Sequence, residues 1–285
     1  MATTTAPIGI REPGGRLRDE LAAVAVVWRR ELLRFARNRT RMIASLVQPL
    51  LFLLILGTGI SSMLPSSGAV NYRTFMFPGV IVLAILFTSL GSAMSIVWDR
   101  EFGFLREMLV APVRRGAIVF GKCVGGATIA TVQGLVIVAL AGVVGVPYSA
   151  GMILELIGIM LLGSLSFTAL GAFLASRMQQ TESFMAVMNL VTMPMFFLSG
   201  ALFATRNLPG WLAFLTKIDP VTYVVDPMRR VVFAHVHTTP AARRTLAAPL
   251  TWGHWVVPIG AELAIVAIIG AVALGLAVLE FERTD

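Results

Sequence analysis

Charge is what this sequence has least of. Only 13% of its 285 residues are Asp, Glu, Lys or Arg, against 57% hydrophobic residues, and its mean hydropathy is +0.83. Ordinary soluble domains carry about a quarter charged residues, so this scarcity excludes a water-solvated enzyme and points to lipid as the main solvent. Cysteine is nearly absent as well: Cys123 stands alone, which excludes a disulfide framework and reads as a small packing residue inside an apolar run. Lysine is confined to Lys122 and Lys217, and the remaining basic residues are arginine. The first apolar run begins near residue 42, so no cleavable leader is expected ahead of it.

What is plentiful is uncharged sequence in long runs. A helix needs ~20 apolar residues to cross ~30 Å of hydrocarbon. Residues 42–62, 75–98, 123–147 and 183–205 meet that length without an Asp, Glu, Lys or Arg, while 151–176 contains Glu155 and 256–279 contains Glu262. Six spans follow, and the fold class is all-α integral membrane protein.

Residues 1–41 hold nine arginines against four acids. By the positive-inside rule that segment stays in the cytoplasm, and six spans return the C-terminus to the same side. Arg100, Arg106, Arg114, Arg115 and Arg177 then also fall inside, while the long segment 206–255 falls outside. Residues 1–16 are rich in Thr, Gly and Pro and read as a mobile tail. From Leu17 to residue 41, Leu17, Leu21, Val24, Trp28, Leu32 and Phe35 recur at helical spacing, with Arg18, Arg29, Arg30, Arg34 and Arg37 mostly elsewhere around the wheel. The pattern predicts an amphipathic helix, either anchored in the membrane interface among lipid phosphates or docked on a partner.

A second amphipathic segment spans residues 99–111. Phe102, Leu105 and Leu109 share a helical face, the pairs Arg100/Glu101 and Arg106/Glu107 flank it, and Pro112 ends it. A free loop has no use for such a stripe, so the segment lies on the membrane or plugs into a cytoplasmic protein.

Three blocks carry a family resemblance. The first runs from Arg29, Arg30, Glu31 and Leu32 through Gln48, Pro49 and Leu50. The second is DREFGFLREMLVAPVRRGAIVFGK from Asp99 to Lys122, and the third is SGALFATRNLPGWLAFLTKIDPVTYVVDPMR from Ser199 to Arg229. They resemble, respectively, the interfacial elbow, the "RE.GTLE.LLVTPVSR…GK" element and the "G…LP.WL…NP.TY…R" signature of type-2 ABC export permeases, especially the daunorubicin-resistance and nodulation-factor exporter branch. The resemblance covers nearly the whole chain after residue 17. It departs at Phe104, where the family usually has Thr, at Arg106, where it has Glu, and at Asp219, where it has Asn.

The resemblance implies an elbow helix carrying Trp28, Arg29, Arg30, Glu31 and Arg34. It implies a coupling helix, with Arg100, Glu101, Phe102, Gly103, Leu105, Arg106 and Leu109, docking into a groove on a separate ATP-binding subunit. It also implies an outer element, with Leu208, Pro209, Trp211, Asp219, Pro220, Tyr223 and Arg229, capping the outer end of a translocation path in a bacterial inner membrane. ATP and magnesium would be bound by two copies of that partner ATPase, and this chain would hold no cofactor. A second permease copy, identical or a sister chain, would complete the unit.

Residue chemistry adds to this. Gly116 to Lys122 fits G-x-x-x-x-G-K, but Cys123 stands where Ser or Thr must bind magnesium and no strand precedes it, so the match is set aside. Gly121 and Gly125 read instead as a small-residue packing face, with Lys122 snorkelling to the interface. Gly163/Gly171, Ser164/Thr168 and Gly270/Gly275 repeat the packing theme, and Met185, Met188, Met193 and Met195 suit gap filling or adaptable apolar contact. The outer segment is too apolar for a solvated loop and too broken by proline for a span, so short re-entrant helices are expected there, with Trp211 in the aromatic belt. Asp226, Arg229 and Arg230 either pair locally or meet a substrate headgroup. Glu155 and Glu262 each begin an inward-running helix, as a stabilised first turn, a salt bridge or a proton or cation site. His235, His237 and His254 lack a third metal ligand at fixed spacing.

The leading expectation is therefore a non-catalytic permease subunit of an ATP-driven exporter of hydrophobic or amphipathic compounds, in contact with membrane lipid and not with nucleic acid. The alternative is a proton-coupled secondary transporter using Glu155 and Glu262. An intramembrane enzyme would need a Ser/His, paired-Asp or His/Glu metal arrangement within the spans, and none is written there. Polysaccharide or lipid-linked glycan is the alternative substrate, weakened by the presence of only three tyrosines.

Overall fold

The computed structural model describes residues 17–63, 72–103, 114–205, 208–236 and 246–283. Among these, six helical segments are long and apolar enough to cross a membrane: Arg39–Ser62, Tyr72–Glu101, Arg115–Val138, Ala150–Ser176, Thr181–Leu198 and Ile259–Arg283. The chain is a multi-pass, almost wholly helical membrane protein.

Helix α1 (Leu17–Arg37) stops at Asn38, whose side chain accepts a hydrogen bond from the Arg41 backbone N–H at 3.0 Å and so caps α2 (Arg39–Leu51). A π-helical stretch, Phe52–Leu56, follows one turn after Pro49, and α3 (Gly57–Met63) completes the span. Pro49, Leu53 and Gly57 are its buried positions. The second span is α4 (Tyr72–Ser92) continued by α5 (Met94–Glu101), with Ala93 between them.

The third span corrects an expected boundary. Helix α6 (Arg115–Val138) starts eight residues before the uncharged run and ends nine before its close. Charge at Arg115 and Lys122 interrupts an apolar count but not a helix, and beyond Val138 a 3-10 turn, Ala141–Val144, is closed by Gly145 at φ +78°, a left-handed position that glycine fills without strain. Helices α7 (Ala150–Ser176) and α8 (Thr181–Leu198) are the fourth and fifth spans. Two shorter helices, α9 (Gly210–Ile218) and α10 (Thr222–His235), precede a small antiparallel ribbon of β1 (Thr251–Trp252) and β2 (Trp255–Val256). That ribbon was not expected in an all-α chain; Gly253 at φ +64° makes the turn between the two Trp-bearing strands. Helix α11 (Ile259–Arg283) is the last span.

Helix α7 is the hub and packs on α4, α6, α10 and α11. Phe75, Phe77, Ile81, Ile85, Phe167, Val224 and Phe233 belong to the main core, and a second cluster of Val97, Val119, Cys123, Ala172, Phe184 and Phe281 lies at the end where α5 finishes and α6 begins. Small residues permit these close approaches. A Cβ at Gly171 would lie 3.2 Å from the Leu90 backbone, and one at Gly270 would lie 2.9 Å from Ser166 Cα. Gly275 meets nothing within 4 Å, so the expected Gly270/Gly275 pair divides into one packed and one open position. Burial is uneven: 78% of the most apolar window of the second span is enclosed, against 17% in the first and fifth.

Candidate functional site

Five charged side chains meet where α1, α5 and α6 come together. Asp99 is on the last turn of α5, Lys122 is two turns into α6, and Arg30, Glu31 and Arg34 are on α1. Lys122 Nζ lies 2.5 Å from Asp99 Oδ2, 3.2 Å from Ser95 Oγ and 3.6 Å from Glu31 Oε1. Arg30 Nη2 donates to Asp99 Oδ2 and to Glu31 Oε1, both at 3.0 Å, and Arg34 Nη1 stands 3.8 Å from Asp99 Oδ1. Lys122, Asp99 and Glu31 are buried. Taking such groups out of water is tolerable only because each has partners. Burial alone would lower the pKa of the Arg30 guanidinium, but its hydrogen bond to Glu31 and the charge of Asp99 outweigh that and raise it.

Glycine makes this junction sterically possible. A Cβ at Gly121 would lie 2.9 Å from Val27 Cβ and 3.1 Å from the Val24 carbonyl oxygen, and one at Gly125 would lie 2.9 Å from Glu31 Cβ. The expected small-residue face is thus the bed on which α1 lies, and Trp28 Nε1 donates to Thr128 Oγ1 across it at 3.1 Å. The expected snorkelling of Lys122 is corrected: α6 begins at Arg115, so Lys122 is well inside the helix and its nearest counter-charge is Asp99. The rejected phosphate-loop match, Gly116 to Lys122, is the opening of this same helix. Arg29 is exposed on the far side of α1.

Immediately after Asp99, two side chains tie down neighbouring helix ends. Arg100 Nη1 donates to the carbonyls of Ser176 at 2.8 Å and Met178 at 3.1 Å, at the C-terminus of α7. Glu101 Oε2 accepts from the Thr181 N–H at 3.1 Å and from the Thr181 hydroxyl, at the N-terminus of α8. Each charge meets the helix-dipole end that favours it. Phe102 is exposed and Gly103 turns the chain at φ +78°. Leu105, Arg106 and Leu109 lie outside the described residues. Arg177 extends the cluster by pairing with Glu280 at 2.7 Å.

The second group of expected residues surrounds α9 and α10. Leu208 and Pro209 lead into α9, whose Leu212 and Ala213 N–H groups donate to the Pro209 carbonyl, and Trp211 is exposed. Asp219, followed by Pro220, accepts from the Val221 N–H at 3.1 Å and the Thr222 hydroxyl at 3.4 Å. Burial nevertheless pushes its carboxyl up to about 7. Tyr223 donates its hydroxyl to the Lys217 carbonyl at 2.6 Å. Arg229 is 2% exposed, stacks over the Phe75 ring at 4.3 Å and donates to the Gly200 carbonyl at 2.5 Å. Burial lowers its pKa to about 10 against the opposing charge of Asp226.

Glu155 and Glu262 have different surroundings. Glu155 is exposed on α7, whereas Glu262 is fully buried and accepts from Arg230 Nη2 at 2.6 Å. Arg230 also bonds Asp226 Oδ2 through Nε at 2.8 Å and the Val257 carbonyl at 2.9 Å. Asp226 and Arg230 therefore pair locally, whereas Arg229 is held at longer range by the Phe75 ring and the Gly200 carbonyl. His235 Nδ1 lies 3.0 Å from the Val231 carbonyl oxygen, and His237 lies outside the described residues. The pairing of Asp99 with Lys122 is not expected from the sequence; the available signal is an acid near the close of one span and one of only two lysines near the opening of the next.

Comparison with known proteins agrees with this architecture. The chain is 28% identical over 220 residues to the transport permease ycf38 of Cyanophora paradoxa, covering 75% of this chain and 74% of that protein. It is 27% identical over 226 residues to nodulation protein J of Rhizobium leguminosarum bv. trifolii, covering 78% and 84%. It is 28% identical over 167 residues to YbhR of Escherichia coli K12, named as a multidrug ABC transporter permease, covering 56% and 44%. Residues 22–233, which include most of α1, the charge junction and Arg229, match the ABC-2 type transporter family, and with six membrane-crossing helices among the described residues this chain belongs to that family.

Proposed function

We propose that this chain is the membrane-embedded subunit of an ATP-driven exporter that moves a hydrophobic or amphipathic compound out of the cytoplasm or inner leaflet. Two copies of a separate ATPase bind ATP and magnesium and supply the energy; this subunit hydrolyses nothing itself. Both termini face the cytoplasm of a bacterial cell, as the arginine-rich first 41 residues favour. The observation that carries the reading is the bonding at the head of residues 99–111. Asp99 is tied to α1 and α6, Arg100 to the end of α7, and Glu101 to the start of α8. A segment that docks on a moving ATPase needs such connections, because displacement reaches four helices without passing through flexible chain.

Two further observations support the assembly and the cargo. The first and fifth spans leave most of their apolar surface uncovered, and a second permease copy, identical or a sister chain, covers part of it in this reading. The multidrug designation of YbhR favours an apolar or amphipathic cargo over a long glycan. Proton-driven transport through Glu155 and Glu262 has less support, since Glu155 is exposed and Glu262 is bonded to Arg230.

The test is gentle purification of the tagged chain from its native membrane with identification of what accompanies it. A stoichiometric ATPase, lost when residues 101–109 are scrambled, is the expected result. Recovery of the chain alone, still transporting after ATP depletion, overturns the reading.

A further inference from the structure

A cavity of about 400 Å³ opens between α1, α2, α4, α5 and α6, beside the charge junction. That volume is in the range of pockets that hold small organic ligands. One side of its wall is cationic. Arg34 and Arg41 both lie over the Trp98 indole, with their guanidinium carbons 5.1 and 6.0 Å from the ring centroid. The lining also includes the apolar Phe35, Pro49 and Phe87, with the uncharged polar Ser45, Gln48 and Thr88 among them.

The charges on this wall do not balance. Glu31, which also lines the cavity, is bonded to Arg30 and lies near Lys122, and Asp99 is shared among Lys122, Arg30 and, at 3.8 Å, Arg34. Arg41 donates to the Gly91 carbonyl at 2.9 Å and has no carboxylate at ion-pairing distance among the described residues. Two guanidinium groups on one indole, one of them lacking a counter-ion, repel each other. An anion between them relieves that repulsion, and guanidinium is suited to bind phosphate or carboxylate oxygens in pairs.

We infer that this cavity binds the acidic headgroup of an amphipath, with Arg34 and Arg41 holding the anion and Phe35, Pro49 and Phe87 receiving the start of its apolar tail. The inference stands apart from the transport reading, because a resident membrane lipid and a transported acidic amphipath present the same chemistry.

The experiment uses the full chain in phosphatidylcholine nanodiscs and measures binding of dodecyl phosphate, dodecyl maltoside and inorganic phosphate. Dodecyl phosphate is expected to bind saturably and at least tenfold more tightly than either of the others. Arg34→Gln and Arg41→Gln are each expected to weaken it about tenfold, and Arg41→Lys, which keeps the charge, to weaken it less. Equal binding of dodecyl phosphate and dodecyl maltoside by the unsubstituted chain overturns the anion site, whether or not the Gln variants fold. Equal binding of dodecyl phosphate and inorganic phosphate overturns the apolar half of the site. Native mass spectrometry of the chain taken directly from its membrane separates the two sources. An acidic phospholipid retained through detergent exchange and lost in Arg41→Gln identifies a resident lipid, and an empty chain that takes up dodecyl phosphate reversibly identifies an exchanging amphipath. An empty chain that takes up none overturns the inference.

Discussion

Lys122 Nζ stands 2.5 Å from Asp99 Oδ2, and the two side chains are almost fully enclosed. They join the end of one span to the beginning of the next, and Arg30 reaches the same carboxylate oxygen from α1. Of residues 100–121 between them, 104–113 lie outside the described residues.

Removing one member of the pair takes the nearest counter-charge from a buried group, which keeps only Arg30 and Arg34 in the case of Asp99 or Glu31 at 3.6 Å in the case of Lys122. Asp99→Ala or Lys122→Met is expected to cost about 3–5 kcal/mol, read as a fall in the melting temperature of the purified chain. The double variant should lose less than the sum of the two, since no lone charge remains. Additive losses would show that the two side chains act independently.

Arg100 and Glu101 cap two helix ends from adjacent positions. Glu101→Ala is expected to cost about 1 kcal/mol, typical of a lost N-terminal cap, and to speed amide hydrogen exchange at Thr181 and the residues just after it. Unchanged exchange there would mean that the Thr181 N–H is satisfied by another acceptor.

The glycines of α11 differ in what surrounds them. Gly270→Val presses on Ser166, whose hydroxyl donates to the Val266 carbonyl at 2.9 Å, and overpacking of this kind costs about 1–3 kcal/mol. Gly275→Ala meets only open space and should be neutral or stabilising by up to about 1 kcal/mol through helix propensity. Melting temperatures of the two variants give the comparison.

Asp219 makes the fold sensitive to pH. Its carboxyl is raised by burial from the ordinary 3.8 to about 7, so the folded protein holds this proton more tightly than the unfolded chain. Stability from this group is therefore fully present below about pH 4 and lost as the pH rises through 7. The loss approaches about 4 kcal/mol at pH 8, an upper bound at roughly 1.4 kcal/mol per pH interval between the two values. Asp219→Asn should be more stable than the parent at pH 8 and nearly equal to it at pH 4. A stability difference independent of pH would remove Asp219 from this role.

Arg230 holds two carboxylates, Asp226 and Glu262. Arg230→Met is expected to cost several kcal/mol because both acids lose their partner, whereas Glu155→Gln, on an exposed face, should stay within about 0.5 kcal/mol. Under the ATP-driven reading, transport by Glu155→Gln is also unchanged, and its loss there would restore the proton-coupled alternative.

The spans were legible because an uncharged run of sufficient length is a property of composition. Their ends were less so: Arg115 and Lys122 cut the third run short although both are helical, since the partners that make them acceptable come from elsewhere in the chain, the Phe281 and Glu282 carbonyls for Arg115 and Asp99 for Lys122. The same long-range pairing hid the junction. Asp99 reads as the head of the amphipathic segment and Lys122 as an interfacial lysine, because their partnership depends on how α5 and α6 pack. Arg229 was grouped with its neighbours Asp226 and Arg230, yet its guanidinium stacks on Phe75 from the second span. The two-strand ribbon at Thr251–Val256 is too short to produce a periodic signal.

The π-helical stretch Phe52–Leu56 has a consequence for what the first span encodes. In an uninterrupted α-helix Pro49 and Gly57, eight residues apart, would be turned about 80° from each other around the axis. The wider turn brings them and Leu53 back toward a single line facing the bundle. Residue number here carries information that residue type does not. Deleting one of these five apolar residues would leave hydropathy almost unchanged and would set Pro49 and Gly57 seven residues apart, about 20° from a single line in a regular α-helix, so the wider turn absorbs one extra residue without rotating what lies beyond it out of phase with the bundle.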